Sequence, residues 1–222
     1  MDTNISLEII FIDDSTDNTP AIIRSLKKGK PYVRLIHRKI EERTGLGTAI
    51  LEGIFASKAD IVCSMDSDLQ HPPAVILDMY DTMKKQNRNF VVASRMIDNG
   101  SAEGLANRYR KFVSRFSSML SWLFLPLTQK TTDPMTGFFM LEKSLVSDRY
   151  LNPIGFKLLV EMLARIPEID SVDVPFVMRK REFNESKVSL REGLKYLKQV
   201  LMLMFDTPKY SILKYLYIPI RY

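Results

Sequence analysis

Apolar residues fall into short, nearly unbroken runs in the first half of the chain and into helical stripes later on. Residues 7–12 (LEIIFI) form one such run and stop at Asp13-Asp14-Ser15, the pattern of a strand buried in a parallel sheet. Thr19-Pro20 opens a stretch that predicts a helix to residue 28, with proline near the first helical position. Residues 33–37 predict a second strand, and Gly45 and Gly47 lead into a helix over 48–57. Residues 59–65 (ADIVCSM) predict a third strand, ending at Asp66. Pro72-Pro73 starts a helix to residue 85, and residues 89–94 (NFVVAS) predict a fourth strand, ending at Arg95. This alternation predicts an α/β fold with a mostly parallel sheet flanked by helices.

After Arg95 the pattern loosens. A loop with Gly and Asn leads to a predicted helix over 105–123, and GFFML (137–141) predicts a strand. Residues 157–166 predict a helix. Residues 170–178 alternate and contain Pro175, which suits an edge strand. Residues 190–205 predict a helix with Leu194, Leu197, Leu201 and Met204 on one stripe, and the tail 210–222 is aromatic, basic and apolar together. Two parts are therefore expected: a body over 1–189 and an amphipathic C-terminal helical extension over 190–222.

The chain has 222 residues, with 45% hydrophobic and 26% charged, values that exclude wholesale disorder and fibrous sequence. A single cysteine, Cys63, excludes a disulfide framework and a Cys-based zinc site. No run of 18 apolar residues occurs, so no simple spanning helix is predicted. The charge is uneven. Residues 179–222 hold ten Lys and Arg against four acids, which accounts for the whole net charge of +6. A neutral body with a basic end suits an anionic partner: nucleic acid, a phosphorylated substrate or an anionic membrane. Nucleic acid ranks last, because no common recognition motif is present and the basic residues adjoin Tyr- and Leu-rich sequence.

The polar clusters sit where the predicted strands end, which is where open α/β sheets bind ligands. Asp66-Ser67-Asp68 places two carboxylates two residues apart past a strand. Such a pair can hold a hard cation together with substrate phosphates. Aspartate also favours plain turns, but the flanking strand and the Gln70-His71-Pro72-Pro73 that follows argue for a site. Gly45 and Gly47 lack the Gly-Lys-Ser/Thr ending of a phosphate-cradling loop and read as a tight turn into a helix.

With these motifs in view, the sequence resembles the family 2 glycosyltransferases, and within them the polyprenyl-phosphate sugar synthases. The matching stretches are IIFIDDSTDNT (9–19), GLGTAILEGI (45–54), MDSDLQHPP (65–73), VVASRM (91–96), RYRKFVSR (108–115), DPMTGFFML (133–141), GFKLLVEML (155–163) and VPFVMRKREFNESKVS (174–189). The resemblance implies a Rossmann-like GT-A fold and a divalent metal, Mg²⁺ or Mn²⁺. It also implies a nucleotide-sugar donor of GDP-mannose or UDP-glucose type and a polyprenyl-phosphate acceptor, dolichyl or undecaprenyl. It places the protein on the cytoplasmic face of a membrane, peripheral or tethered by segments absent from this chain. Asp13 and Asp14 match the acidic pair that contacts the donor's base and ribose. Asp66 and Asp68 match the metal-and-diphosphate motif, with Gln70 as an additional metal ligand. Arg95 matches a basic residue near the donor phosphates, and Arg110, Lys111 and Arg115 match the basic helix beside the acceptor. Asp133 opens the segment that faces the sugar, in a positioning role. Arg181, Ser186 and Lys187 match a late loop that closes over phosphate.

Plainer readings stand beside these. The basic residues of 110–115 suit a solvated helix face, and Arg181 and Lys187 suit ordinary loop charge. Glu161 suits a helix-surface acid, and His71, beside two prolines, suits a turn-packing residue. The family also begins with a strand and helix before the segment matched by 7–12. A sheet without that strand is expected to leave unpaired backbone groups and an apolar slot. Other function classes stay open at this point: a family 2 transferase acting on a sugar hydroxyl, or a binding-only relative.

Overall fold

The computed structural model describes residues 5–104, 108–155, 157–180 and 190–207, with backbone alone at 108, 109, 190 and 191. The first strand, β1 (Ile9–Asp13), is followed by helix α1 (Thr19–Leu26) and strand β2 (Val33–His37). Pro20 stands in the first turn of α1, as the sequence predicts. Strands β1 and β2 pair in parallel, with Asp13 opposite His37. Then come α2 (Leu46–Ala56), β3 (Ile61–Ser64), α3 (Val75–Lys85), β4 (Phe90–Ser94) and α4 (Arg108–Phe124). The rest is β5 (Phe139–Glu142), a single turn α5 (Ser144–Ser147), α6 (Leu158–Arg165), β6 (Ser171–Pro175) and α7 (Leu190–Asp206).

The sheet is mixed with parallel strands, in keeping with the α/β reading, and two of its features go beyond that reading. First, β5 runs antiparallel to both neighbours in the order β3-β5-β4-β6. Phe139 at the start of β5 lies opposite Val92 near the end of β4. The chain thus enters β5 from the end at which it left β4, and without a crossover back it must run antiparallel. Among the described strands the parallel pairs are β1–β2 and β4–β6. Second, the strands form two sheets, and no ladder joins β1 to β3 among the described residues. Among the described residues β1 has β2 on one side and no strand on the other, and Leu7 and Ile9 are 60% and 38% exposed in a segment whose composition suits burial. Helix α2 spans the break. It lies against β1 and sends Leu51 and Ile54 into the core of the four-stranded sheet.

That core obeys the twofold period of strands. Phe90, Val92, Phe139 and Leu141 face α2 and α6, where Leu158, Leu159, Met162 and Leu163 complete one cluster. Val91, Ala93 and Met140 face the other way, against Val75, Met79 and Met83 of α3. Each such fully buried side chain contributes about 1.5–3 kcal/mol by leaving water. β6 is an edge strand ending in Pro175, as predicted.

Helix α7 packs on the body through Tyr196, Val200 and Leu203, and Tyr196 donates its hydroxyl to the Ser117 carbonyl at 2.7 Å. The stripe read from sequence faces mostly outward, as a membrane-facing reading of 190–222 expects: Leu194, Leu197 and Leu201 are exposed, and Met204 turns partly inward. Glu161, read as a possible surface acid, is buried. It accepts hydrogen bonds from the Asn152 amide, Arg165 and Gln199, which ties α6 to α7.

Candidate active site

Three strand ends build the site. At the end of β1, Asp13 is buried and accepts hydrogen bonds from Ser15, with His37 Nδ1 at 2.6 Å. Burial pushes its pKa upward, but the bonds with His37 and Ser15 outweigh that and hold it below the usual carboxylate range. Asp14 is exposed, and both its oxygens accept from Arg38, a guanidinium that is otherwise almost wholly buried. Arg38 also donates to the carbonyls of Glu42 and Gly45, fixing the turn that opens α2. Sequence reading missed Arg38. The signal was there, because parallel pairing of the first two strands places 37 opposite 13 and 38 next to 14.

Past β3, the loop carrying Asp66 and Asp68 turns sharply. Leu69 adopts φ 65°, left-handed for a residue with a branched side chain. Strain of this kind persists where the surroundings enforce it, and it clusters at functional sites. His71 packs as the plainer reading held, stacked on Phe138 at 4.8 Å and edge-on to Phe176. Its Nδ1 accepts from the Asp66 backbone amide at 3.1 Å, which leaves the proton on Nε2, 4.0 Å from the Asp66 carboxylate. Burial pulls the His71 pKa down, against the pull of Asp66 and Asp68, so the ring is neutral near pH 7. Gln70 donates its amide nitrogen to the carbonyls of Gly104 and Arg179, both at 3.1 Å. These bonds turn the amide oxygen to the opposite corner of the group.

The residues present fit a divalent cation of magnesium type. Asp66 and Asp68 supply hard oxygen donors, and Asp66 is over a third exposed. Among the described residues no group of three or more His, Cys, Asp or Glu gathers here or elsewhere, so the protein's own share at this site is the aspartate pair. Two carboxylates completed by substrate phosphates are what such an ion takes.

At the end of β4, Arg95 and Asp133 form a bidentate pair, Nε–Oδ2 2.7 Å and Nη2–Oδ1 2.8 Å, with Asp133 wholly buried. The Arg95 backbone amide adds a third bond to the same carboxylate. The Asp133 side chain therefore holds Arg95 and does not itself open toward a sugar. Arg95 also lines a polar cavity of about 370 Å³ with Ser101, Glu103, Lys111 and Arg115. The fold thus brings Arg95 together with Lys111 and Arg115 of α4, while Arg110 is not part of that wall. Arg181, Ser186 and Lys187 lie outside the described residues. Lys157 was not singled out in the sequence. Its ammonium donates to the Met135 carbonyl at 2.5 Å. Burial, and then Arg95, pull its pKa down to about 7, with Asp133 and Asp66 opposing.

The comparisons with known proteins agree with this arrangement. The family model "Glycosyl transferase family 2" matches residues 3–149. A dolichol-phosphate mannosyltransferase of Pyrococcus furiosus is 35% identical over 201 residues, which is 90% of this chain and 56% of that protein. The enzyme of the same name from Saccharomyces cerevisiae is 32% identical over 202 residues, 87% of this chain and 73% of that protein. The chain thus spans just over half of the first relative's length and nearly three quarters of the second's. Among solved structures, glucosyl-3-phosphoglycerate synthase from Mycobacterium tuberculosis, in complex with Mn²⁺, UDP and glucosyl-3-phosphoglycerate, superposes with a TM-score of 0.63. It is 20% identical and covers 90% of this chain and 68% of its own. At that identity the likeness concerns the fold, which is the GT-A architecture. With its aspartate pairs at the ends of the first and third strands and a matching model that takes in about two thirds of its length, the chain belongs to the family 2 glycosyltransferases.

Proposed function

We propose that the protein transfers one sugar from a nucleotide sugar to a polyprenyl phosphate, with inversion at the anomeric carbon. The observation that carries this reading is the placing of two polar groups past neighbouring strand ends: the aspartate pair Asp66 and Asp68 after β3, and Arg95 after β4, which lines a polar cavity with Lys111 and Arg115 on one part of its wall and Asp98 and Glu103 on another. One side suits a metal-bound diphosphate and the other suits a phosphate acceptor. The dolichol-phosphate mannosyltransferase relatives support the lipid acceptor, and the Mn²⁺- and UDP-bound fold neighbour supports the metal and a nucleotide donor. Asp66 and Asp68, with the Gln70 amide oxygen, would hold the metal. Once bound, it neutralises charge on the departing diphosphate. Asp13 and Asp14 lie on the side of the donor's base and ribose.

The acceptor phosphate oxygen forms the new bond to the anomeric carbon as the bond to the diphosphate oxygen breaks, and the electron pair leaves with the nucleoside diphosphate. A phosphate is already ionised near neutral pH, so no side chain needs to take a proton. That agrees with a site whose buried carboxylate, Asp133, is committed to an arginine. Arg95, held rigid by Asp133, supplies fixed positive charge. If polyprenyl phosphate and a free oligosaccharide are offered together, label from the donor is expected on the lipid. Label on the oligosaccharide alone would favour the hydroxyl-acceptor alternative.

Arg181 and Lys187 belong to the same reading as phosphate contacts. Arg181→Ala and Lys187→Ala are each expected to lower transfer roughly ten- to a hundredfold, through loss of one charged hydrogen bond of about 1.5–3 kcal/mol. Thermal unfolding should be unchanged. Steady-state kinetics equal to the parent in both variants would place the phosphate site elsewhere.

The acceptor's tail requires approach to a bilayer. Among the described residues no helix is long and apolar enough to cross a membrane. Helix α7 instead has two apolar sides, one docked on the body and one exposing Leu194, Leu197, Leu201, Met202 and Phe205. Helix α4, which touches α7, adds exposed Phe112, Phe116, Met119 and Leu123. An apolar patch of this extent, beside basic residues, suits an interfacial surface. Residues 208–222, outside the described part, add Lys209, Lys214, Arg221 and four tyrosines. In flotation with anionic vesicles, removal of residues 207–222 is expected to reduce binding, and high salt should weaken what remains. Absence of binding by the full chain at low salt would contradict the membrane reading.

A further inference from the structure

The candidate site is assembled from two sheets that share no ladder among the described residues. Asp13, Asp14 and Arg38 belong to the β1–β2 side, and Asp66, Arg95 and Asp133 to the other. Besides α2, residues just before α6 touch both. On the first side, Gly155 accepts a hydrogen bond from the Gly47 amide at 2.9 Å. The approach is close: a Cβ on Gly45 would stand 2.8 Å from the Gly155 oxygen, and one on Gly47 2.7 Å from Pro153 Cβ. The Gly45 carbonyl in turn accepts from Arg38, the guanidinium that holds Asp14. On the second side, Lys157 Nζ reaches the Met135 carbonyl at 2.5 Å. Met135 is buried and lies two residues from Asp133, the partner of Arg95. It also lies two residues from Gly137, which stands against the Asp66 carboxylate. Contacts thus link Asp14 through Arg38 to the turn at Gly45–Gly47 and on to Gly155, and, two residues further along the chain, Lys157 to Met135 in the loop whose Asp133 holds Arg95.

The position is an unfavourable one for a lysine. Lys157 caps the N-terminus of α6, where the helix dipole repels positive charge. Burial and Arg95 both weigh further against its charged form. Solvation does not account for a lysine placed there, and its bond to the Met135 carbonyl gives it a role in joining the two loops.

We propose that Lys157 is a positioning residue that fixes the loop at 133–137, on the metal side, to the turn at 45–47, on the nucleotide side, so that one diphosphate meets both at a set spacing. The proposal rests on the donor-site reading above. Misplacement of reacting groups by about 1 Å can cost on the order of a hundredfold, so a tether across two separate sheets has a direct effect on transfer.

The test compares the full chain with Lys157→Met and Lys157→Arg. Amide hydrogen exchange is measured without ligand, and binding of GDP and UDP with Mn²⁺ is measured by calorimetry. Lys157→Met is expected to speed exchange at 133–138 and 45–47 about tenfold or more while β4 is unaffected. It should also weaken Mn²⁺-dependent nucleotide binding about tenfold. Lys157→Arg should return both to within about threefold of the parent, because a donor again reaches Met135. Parental exchange and binding in Lys157→Met would overturn the proposal, as would equal losses in Lys157→Arg, which would mark a packing role. Should Lys157→Met fail to fold, Gly47→Ala displaces Pro153 and is expected to produce the same two changes; their absence would likewise overturn it. A parent chain that binds neither nucleotide would remove the donor-site reading, while the exchange comparison would still decide the tether.

Discussion

Asp133→Asn is expected to abolish transfer and to destabilise the fold together. Asp133 has no exposed surface and Arg95 is 7% exposed at its side chain, with two short bonds between them. Neutralising the carboxylate leaves a guanidinium buried without its counter-charge, a change that costs about 3–5 kcal/mol. For a domain of this size that lowers the melting temperature by roughly 6–20 °C. Transfer should fall by a factor on the order of 10²–10³, the scale for losing one preorganised group at a developing charge. The double variant Arg95→Met/Asp133→Leu separates the two effects. With no charge left to bury, it should recover most of the melting temperature and none of the transfer. Asp133→Asn that melts and turns over like the parent would show that the pair serves neither role.

Asp68→Ala is expected to remove metal-dependent donor binding while leaving the fold intact. The carboxylate is half-buried, and its Oδ1 accepts the Gln70 amide at 3.1 Å. A local bond of this kind is worth about 1 kcal/mol, so thermal unfolding should shift only slightly. Loss of one of two carboxylate ligands removes the bridge between protein and diphosphate, and transfer should drop by more than about a hundredfold. Calorimetry with the nucleotide, with and without Mn²⁺, reads this directly. Mn²⁺-dependent binding at the parental level in Asp68→Ala would relocate the metal.

Much of this was legible along the chain, because strand and helix periods are local properties. The runs at 7–12, 59–65 and 89–94 became β1, β3 and β4, and the aspartates after the first two lie at strand ends as read. The reversal of β5 was not legible, since GFFML has the same period in either direction and the antiparallel register depends on where the chain re-enters the sheet. The side of α7 that docks on the body was not singled out, for a related reason. The helix carries apolar residues on two sides, and sequence alone cannot say that Tyr196, Val200 and Leu203 take the body while Leu194, Leu197 and Leu201 face out. Within the site, Asp66, Asp68 and Arg95 stood out by their place after strands. Arg38 acts through Asp14 and was traceable only through the pairing of β1 with β2, whereas Lys157 acts through Met135, a contact that no strand register announces.

The central claim concerns where the sugar goes. The full chain is incubated with labelled GDP-mannose or UDP-glucose, Mn²⁺ and a polyprenyl phosphate in detergent or vesicles, and the mixture is extracted with organic solvent. The account predicts label in the organic phase with one of the two donors, dependent on Mn²⁺ and abolished by chelation. Label that stays in the aqueous phase with both donors, under conditions where the chain is folded and binds nucleotide, would contradict it.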